Sequence, residues 1–236
     1  MFSIEIADIV IGIDNKYDYT EKLAHFYKKE KKPLFTVSAS DEDIEKEGLN
    51  FEGRFSKGYF ESLVIYRNIA SELYKYDAFV FHGAVLNLDG KAYVFTAKSG
   101  VGKTTHTRLW LKHFGDRVHY LNGDKPIIRF FDGIPYACGT PWQGKENYGT
   151  NERAPIEAIA FLSRAENNSA EKAELDESVI RLVTQMFVPK NPLAAAHTLG
   201  LADKFLSSVR LVDLRCNMDS EAAVISHAAM TGDGMI

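Results

Sequence analysis

The sequence predicts an α/β fold with a mixed sheet at its core, preceded by a small N-terminal α+β region. Strand-like apolar runs alternate along the chain with runs whose apolar residues recur at helical spacing. In addition, Asp89-Gly90 separates two strand-like runs, and a two-residue Asp-Gly link is a strong hairpin signal. Because a hairpin joins antiparallel strands, we expect a mixed sheet rather than a simple parallel array.

Length and composition limit the number of domains and the class of partner. The 236 residues suffice for one substantial α/β domain with an appended subdomain, which we place at residues 76–236 and 1–75, respectively. Hydrophobic residues make up 45% of the chain and charged residues 25%, as in globular proteins with a buried core. The formal net charge of -4 argues against a surface built for nucleic acid, so we expect no nucleic-acid partner.

Cysteine usage and hydropathy predict a cytoplasmic protein. The chain has two cysteines, Cys138 and Cys216, and neither lies in a Cys-x-x-Cys pair, as expected for reduced thiols in the cytoplasm. The first residues do not resemble a signal peptide, and no run approaches the ~20 apolar residues of a membrane span. We therefore expect neither secretion nor membrane insertion, and no membrane partner.

The first 75 residues predict a small region in which strands and helices alternate. β-branched residues dominate the first strand-like stretch, and Leu23, Phe26 and Tyr27 have helical spacing. The predicted elements are a β-rich stretch at 4–13, a helix at 20–29, a short strand at 34–37, a solvated acidic segment at 41–43 and an amphipathic helix at 60–74.

The sequence of the larger domain predicts two hairpins and several further strands and helices. Asp132-Gly133 marks the second hairpin, as Asp89-Gly90 marks the first. We predict strands at 78–81, 84–88, 91–96, 118–121, 127–131, 134–137, 155–162 and 209–215, and helices after residue 102 and at 179–187, 194–206 and 220–230.

Residues 97–104 match the pattern of a nucleotide-binding phosphate loop (P-loop) in the form Ala-x4-Gly-Lys-Thr, in which Ala97 takes the place of the usual first glycine. A Gly-Lys-Thr string also occurs in ordinary surface turns. Here, however, the string stands between an apolar strand at 91–96 and a run with Leu109 and Trp110 at helical spacing. This strand–loop–helix context is the one that the motif requires.

The residue types in the loop suit phosphate binding. Gly100 and Gly102 allow positive φ and bring backbone N–H groups close to phosphate oxygens. Lys103 is expected to reach the β- and γ-phosphates, Thr104 to bind magnesium, and the helix dipole to favour the anion. The sequence therefore predicts ATP and Mg²⁺ as cofactors, with nucleotide contacts from Ser99, Gly100, Val101, Gly102, Lys103, Thr104 and Thr105.

Two side chains outside the loop are candidates for the same site. Asp124 follows the strand after the P-loop helix, where a carboxylate can bind magnesium, although its surroundings also have turn chemistry. His82 precedes the hairpin that enters the loop, and Gly83 beside it allows close backbone approach. A lone histidine near apolar strands is as readily structural as catalytic, so spacing alone leaves its role open.

The chain resembles the catalytic domain of bacterial HPr kinase/phosphorylase in four segments taken in order: Phe81-His82-Gly83-Ala84-Val85, Asp89-Gly90-Lys91, residues 99–104 and Gly123-Asp124. It is still more similar to the shorter HPr-kinase-related proteins of the phosphoenolpyruvate carboxykinase superfamily. The resemblance covers residues 79–131 well and extends weakly to Arg215.

That resemblance implies the P-loop core of the HPr kinase C-terminal domain and of phosphoenolpyruvate carboxykinase. It also implies an ATP- and Mg²⁺-dependent kinase that transfers the γ-phosphoryl group to a hydroxyl of a small molecule, peptide or protein. His82 would contact or orient the transferred phosphate, Lys103 would stabilise it, and Thr104 and Asp124 would hold magnesium. Because HPr kinases are hexamers, the resemblance also leaves a homo-oligomeric state as an alternative.

One departure from the family concerns the general base. The family typically has two adjacent aspartates after the P-loop helix, whereas this chain has Gly123-Asp124. A single carboxylate remains, so the base must come from elsewhere or be dispensable, and reversible phosphorylase activity is in question.

Three further segments are candidates for the site. Pro189-Lys190-Asn191-Pro192 resembles the family's basic, proline-flanked loop, which makes Lys190 a candidate for contact with phosphate or acceptor. Arg153 has the charge to stabilise a transition state, and the loop at 140–147 has the chemistry of a lid. Surface solvation explains each of them equally well.

Three other functions remain as alternatives. A nucleotide-binding sensor or partner-binding protein without phosphotransfer accounts for the missing second aspartate. A circularly permuted GTPase would use Asn15-Lys16-Tyr17-Asp18 to read guanine, but Asp124-Lys125-Pro126-Ile127 is not the required Asp-x-x-Gly switch. Carboxykinase activity is a weaker alternative, because the chain is much shorter than those enzymes.

Overall fold

A computed structural model describes residues 1–49, 51 and 54–233. The strands in these residues are β1 (Phe2–Ile6), β2 (Ile9–Asp14), β3 (Phe35–Ser38), β4 (Ala78–Val80), β5 (Ala84–Leu88), β6 (Lys91–Thr96), β7 (Val118–Asn122), β8 (Ile127–Phe131), β9 (Ile134–Cys138), β10 (Arg153–Arg164), β11 (Ser169–Lys172) and β12 (Arg210–Cys216). The α-helices are α1 (Asp18–Leu23), α2 (Asp41–Gly48), α3 (Lys57–Glu72), α4 (Lys103–Phe114), α5 (Leu175–Val183), α6 (Pro192–Ser208) and α7 (Glu221–Thr231). None of the described helices combines the length and apolarity that a membrane crossing requires.

The N-terminal region is a three-stranded sheet with the order β1-β2-β3. Strands β1 and β2 form an antiparallel hairpin whose turn residues, Ala7 and Asp8, have φ values of 50° and 55°. Strand β3 adds to β2 in parallel. Ile65 and Ile69 of helix α3 are fully buried and belong to the same hydrophobic core as the buried residues of this sheet. The predicted strands and the long amphipathic helix of this region are confirmed.

One prediction for this region was wrong in part, and a second is confirmed with more detail. The helix predicted at 20–29 ends at Leu23, and a 3-10 turn follows at His25–Tyr27. Tertiary contacts explain the break, because the Tyr27 hydroxyl donates to the Thr150 carbonyl and the backbone N–H of Lys29 bonds to β1. The acidic run at 41–43 is exposed as predicted. It also forms the first turn of α2, where the helix dipole stabilises carboxylates.

The main sheet contains nine strands and mixes the two orientations. Its central path has the order β4-β8-β9-β10-β6-β5-β7, and β12 pairs with β10 in parallel. Strand β6 is antiparallel to β5 through the turn at Asp89 and Gly90, whose φ values are 52° and 85°. The predicted antiparallel neighbour of the P-loop strand is therefore confirmed. Strand β11 was not predicted, because its Ser-Ala-Glu-Lys sequence lacks an apolar pattern.

Strand β10 joins two halves of this sheet. Its first residues, Arg153–Pro155, pair antiparallel with β9. After a register shift between Ile156 and Ala158, the strand pairs in parallel with β6 on one side and β12 on the other. The carboxyl ends of three parallel strands therefore meet at one edge, which is where ligands bind in α/β sheets.

The hydrophobic core is continuous across the predicted boundary at residues 75 and 76. One buried cluster contains Ile69 from α3 and Leu73 from the 3-10 turn after it, together with Ala78, Ile127 and Trp142. The division into regions 1–75 and 76–236 stays a prediction. In the C-terminal part, the helix predicted at 179–187 is α5, which begins earlier and ends at Val183, and the residues after it extend alongside β4.

Candidate functional site

The segment that connects β6 to α4, residues 97–102, is termed here the glycine loop. Gly100 and Gly102 have φ values of 80° and 127°, which a residue with a Cβ rarely adopts. Gly102 stands immediately before α4, so the backbone N–H groups of the first helical turn have no partner within the helix and point along its axis towards the loop. Free N–H groups at a helix start are a general feature of anion sites.

Helix α4 is held rigidly behind the loop. Trp110 is fully buried, and its indole N–H donates to the Ser226 hydroxyl of α7. The Thr107 hydroxyl is 2.6 Å from that of Tyr120 on β7. Buried His106 contacts the same Ser226, and burial lowers the pKa of its imidazole to about 4. These contacts fix the direction of the helix axis, and with it the direction of the helix dipole.

Lys103 is folded back over the glycine loop. Its ammonium group donates to the carbonyl of Ala97 at 3.0 Å. Burial lowers the pKa of this ammonium group, and the nearby Asp124 carboxylate partly opposes the shift. The charge of Lys103 is therefore held inside the loop, where an arriving phosphate can replace the carbonyl as its partner.

Asp124 is the centre of the charged cluster beside the loop. Its Oδ1 atom lies 3.2 Å from His82 Nε2, and Oδ2 is paired with Lys125. Burial by itself raises the pKa of the Asp124 carboxyl, but the hydrogen bond from His82 and the charge of Lys125 outweigh it and bring the pKa to about 2. Asp124 is therefore ionised throughout the neutral range.

A turn at the end of β7 positions this carboxylate. The Asn122 side-chain oxygen accepts hydrogen bonds from the backbone N–H groups of Asp124 and Lys125, at 2.9 and 2.7 Å. Gly83 donates its backbone N–H to the carbonyl of Asp124 at 3.0 Å. A Cβ on Gly83 would lie 2.9 Å from the Phe95 carbonyl oxygen, so a glycine is required for this close approach.

His82 is held on two sides by Gln185, a residue that the sequence analysis missed. The backbone N–H of His82 donates to the Gln185 carbonyl at 2.6 Å, and His82 Nδ1 lies 2.9 Å from Gln185 Oε1. Gln185 stands 103 positions away in the chain, just after α5, and no local motif marks it. Only the folding of the α5–α6 segment against β4 brings the two residues together.

Cation ligands are available on the same side of the loop. Thr104 supplies an exposed hydroxyl in the first turn of α4, and Asp124 supplies a carboxylate. Oxygen donors of these two types suit Mg²⁺, which is bound by one or two protein ligands together with phosphates and water. Consistent with such a sparse site, the described residues contain no cluster of three or more His, Cys, Asp or Glu residues placed to hold a metal.

A cavity of about 710 Å³ adjoins the other side of the glycine loop. It lies between the loop, the ends of β10 and β12, and the end of α5. Arg164, from the end of β10, donates to the carbonyls of Gly100 and Val101, so it ties the loop to the sheet. The lining residues are Thr96, Ala97, Lys98, Ser99, Gly100, Val101, Phe161, Leu162, Ser163, Arg164, Arg181, Thr184, Gln185, Asp213 and Arg215.

The structure places Arg153 away from this site, and the contact predicted for Lys190 stays a prediction. Arg153 begins β10, pairs with Asp8, and lies over the ring of Phe131 at 4.2 Å. The glycine loop is near Phe161, eight residues along the strand and hence about 26 Å away. Lys190 is exposed just before α6, in a segment that runs away from His82 after Gln185.

The predicted lid at 140–147 is anchored at its base. Thr140 and Trp142 are buried, and Trp142 stacks on Tyr66 with ring centroids 4.1 Å apart. Residues 144–147 are exposed, and Gly144 lies directly against Asp124. This loop therefore borders the Asp124 side of the site.

The guanine-reading string makes its contacts elsewhere. Asn15 bonds to the Tyr17 carbonyl, Lys16 pairs with Asp41, and Asp18 pairs with Lys22. The backbone N–H groups of Lys16 and Tyr17 donate to the fully buried carboxylate of Glu61 in α3. These contacts give the string a structural role within the N-terminal region.

Comparisons with known proteins were made for sequence families and for structures. No family model matches the chain, and no curated protein matches it either. Among solved structures, the chain is similar to the Hpr(Ser) kinase/phosphatase from Coxiella burnetii, with a TM-score of 0.30 and 11% sequence identity. The match covers 53% of this chain and 90% of that chain. A likeness of this size does not establish the activity of this chain.

Proposed function

We propose that the chain is an ATP- and Mg²⁺-dependent kinase that transfers the γ-phosphoryl group to a hydroxyl of a small molecule, peptide or protein. One observation carries the proposal: His82 and Asp124 form a bonded pair beside the loop that holds Lys103. These residues come from three separate parts of the chain. A charged cluster of this kind next to an anion site suits stabilisation of a transferring phosphoryl group.

Each residue has a distinct task in this proposal. The backbone of the glycine loop and the first turn of α4 bind the phosphates, and Lys103 supplies a positive charge at the transferred group. Thr104 and Asp124 would hold a magnesium ion, which when bound would neutralise charge on the phosphates. The low pKa of Asp124 keeps this ligand charged at neutral pH.

His82 is proposed to orient the site rather than to serve as the general base. Both of its ring nitrogens are engaged by oxygen atoms, Asp124 Oδ1 and Gln185 Oε1, which fix the orientation of the imidazole and leave neither nitrogen free to take a proton from the acceptor. Because phosphoryl transfer proceeds through a loose transition state, it needs little proton abstraction from the acceptor. The missing second aspartate is then compatible with transfer.

One observation favours a second function, a nucleotide sensor without phosphotransfer. Gly123 precedes Asp124, and Asp124 is itself bonded to His82 and Lys125, so no unpaired carboxylate stands at the end of β7. The GTPase alternative has no such support, because Asn15–Asp18 lies in the N-terminal sheet region with its own partners.

The test uses purified protein, magnesium and γ-labelled ATP with a metabolite and peptide extract. We expect transfer of label to at least one component, and loss of both ATP binding and labelling in Lys103→Met. Lys112→Met, which removes an exposed charge from the last turn of the same helix, is the matched control. Normal ATP binding without any labelled product would disprove the kinase and leave the sensor. Binding of GDP in strong preference to ADP would indicate a GTPase instead.

A further inference from the structure

The cavity beside the glycine loop has the size of a small-molecule site. Its volume of about 710 Å³ lies within the range of roughly 300–1,000 Å³ that is typical of ligand pockets. It is also placed where ligands bind in α/β sheets, at the carboxyl ends of parallel strands β6, β10 and β12.

Positive charge dominates the lining of this cavity. Four of its side chains are cationic, Lys98, Arg164, Arg181 and Arg215, and one, Asp213, is a carboxylate. Asp213 is already paired with Arg181. Arg164 donates to neutral carbonyls and so keeps its charge uncompensated. Within the described residues, no ion pair neutralises Arg215 either. The excess of cations predicts an anionic ligand.

The cavity adjoins the position expected for the phosphates. Three of the predicted nucleotide contacts, Ser99, Gly100 and Val101, line it, but Gly102 and residues 103–105 at the start of α4 do not. In the sheet, β10 and β12 lie on one side of β6, whereas β5 and β7, with Asp124, lie on the other. The phosphates and a ligand in the cavity can therefore be bound together.

Gln185 connects the cavity to the charged cluster. It lines the cavity and also contacts His82 through both its backbone carbonyl and its side chain. A molecule in the cavity can therefore contact both Gln185, the partner of His82, and Arg215. This is the arrangement that an acceptor requires, with its hydroxyl at the phosphoryl group and a second group bound at a distance.

We infer that this cavity binds the acceptor, and that the acceptor is a small alcohol carrying a carboxylate or phosphate group that Arg215 and its neighbours recognise. Arginine binds both oxyanions through paired hydrogen bonds. The inference rests on the proposed kinase function. In the transfer step, the acceptor oxygen bonds to the γ-phosphorus, the bond from γ-phosphorus to the bridging oxygen breaks, ADP leaves with that electron pair, and the hydroxyl proton passes to water.

The test measures binding and transfer separately, with D-glycerate, glycerol 3-phosphate and glycerol as probes. Binding is measured by calorimetry on the full chain with magnesium and a non-hydrolysable ATP analogue, and transfer with γ-labelled ATP. We expect one of the two anions to bind and accept label while neutral glycerol does neither. Which anion binds distinguishes a carboxylate site from a phosphate site.

Variants then locate the anion site. Arg215→Gln is expected to weaken anion binding about tenfold, since one charge-assisted pair is lost, while ATP affinity is unchanged. Arg215→Lys keeps the charge, so its anion affinity should lie between those of Arg215→Gln and the unaltered protein. Lys112→Gln, which removes one exposed charge at the far end of α4, should match the unaltered protein.

The outcomes separate the two proposals. Anion binding that depends on Arg215 but is followed by no transfer supports the anion site and sinks the kinase. Transfer to glycerol and anions alike, unaffected by Arg215→Gln, supports the kinase and overturns the anion site. The inference also fails if neither anion binds at millimolar concentration, or if adenosine displaces the anion and Arg215→Gln loses ATP affinity, since the nucleoside would then occupy the cavity.

Discussion

The imidazole of His82 lies 3.2 Å from the carboxylate of Asp124, measured from Nε2 to Oδ1. The two residues follow different strands, β4 and β7, and the backbone of Gly83 also bonds to the Asp124 carbonyl. The pair joins the predicted magnesium ligand to the predicted phosphate contact.

Asp124→Asn is expected to reduce phosphoryl transfer by about 10²- to 10³-fold, because the site loses its charged metal ligand. The Mg²⁺-dependent part of ATP affinity should be lost as well. Asp132→Asn serves as the control, since Asp132 lies in the exposed turn between β8 and β9. Steady-state kinetics over a magnesium titration give both quantities, and full activity in Asp124→Asn would rule out its role as the ligand.

Gln185→Leu is expected to lower kcat about tenfold with little change in the KM for ATP. The reason is that the Gln185 side chain is hydrogen-bonded to His82 and not to helix α4, so Gln185 acts as a positioning residue. Gln185→Glu keeps an oxygen opposite His82 Nδ1 and should retain more activity than the leucine variant. Equal losses in the two variants would show that packing, rather than the hydrogen bond, is what matters.

Arg164→Gln is expected to weaken ATP binding about three- to tenfold without unfolding the protein. Its guanidinium donates to the Gly100 and Val101 carbonyls, so its loss allows the glycine loop to sample conformations that do not bind phosphate. The measurement is a calorimetric titration with ATP and magnesium. An unchanged affinity would mean that the loop keeps its shape without this arginine.

Gly144→Ala tests the contact between the 140–147 loop and Asp124. Gly144 has φ of 79°, and a Cβ there would lie 2.9 Å from the Asp124 Cβ. Gly133 has a similar φ of 84° but open space around it, so Gly133→Ala measures the backbone cost alone, about 1 kcal/mol. We expect Gly144→Ala to cost more stability than Gly133→Ala and, unlike it, to lower activity. Urea unfolding and kinase assays compare the two variants.

The Tyr27 hydroxyl predicts a specific loss of stability at alkaline pH. Burial raises the pKa of this phenol to about 12, with a smaller opposing effect from Gln143. The unfolded chain releases the proton near pH 10, so the stabilisation is complete below about pH 10 and is lost as pH rises towards 12. Between about pH 9 and about pH 11, the unfolding free energy should fall about 1 kcal/mol more in the unaltered protein than in Tyr27→Phe. Equal slopes for both proteins in urea titrations would contradict this prediction.

Local signals were sufficient for much of the fold. The Asp-Gly turns at 89–90 and 132–133 both have the positive φ values that their residue types favour, and both hairpins form as predicted. The glycines of the 97–102 loop and the helix after it are likewise encoded in a few consecutive residues. Helix limits were less accurate where distant contacts intervene, as at Tyr27, whose bond to Thr150 draws the chain out of its helix.

The charged cluster was only partly predictable. His82, Lys103 and Asp124 stood out because each lies next to a recognisable turn or motif. Gln185 and Arg164 did not, because an amide at the end of a helix and an arginine at the end of a strand have no distinguishing local pattern. Conversely, Arg153 has the right chemistry, but strand β10 places it at the far end of the sheet from the glycine loop.

By itself, the sequence determined the mixed sheet, the glycine loop, and the identity of the histidine, lysine and aspartate around it. These features depend on backbone preferences and side-chain chemistry within short segments, which are readable without a fold. The tertiary structure decided which of the charged residues share a site, and that a cationic cavity is lined by both Arg215 and Gln185, the partner of His82. Such contacts depend on strand order and register in the main sheet, and those are set by packing between segments that lie far apart in the chain.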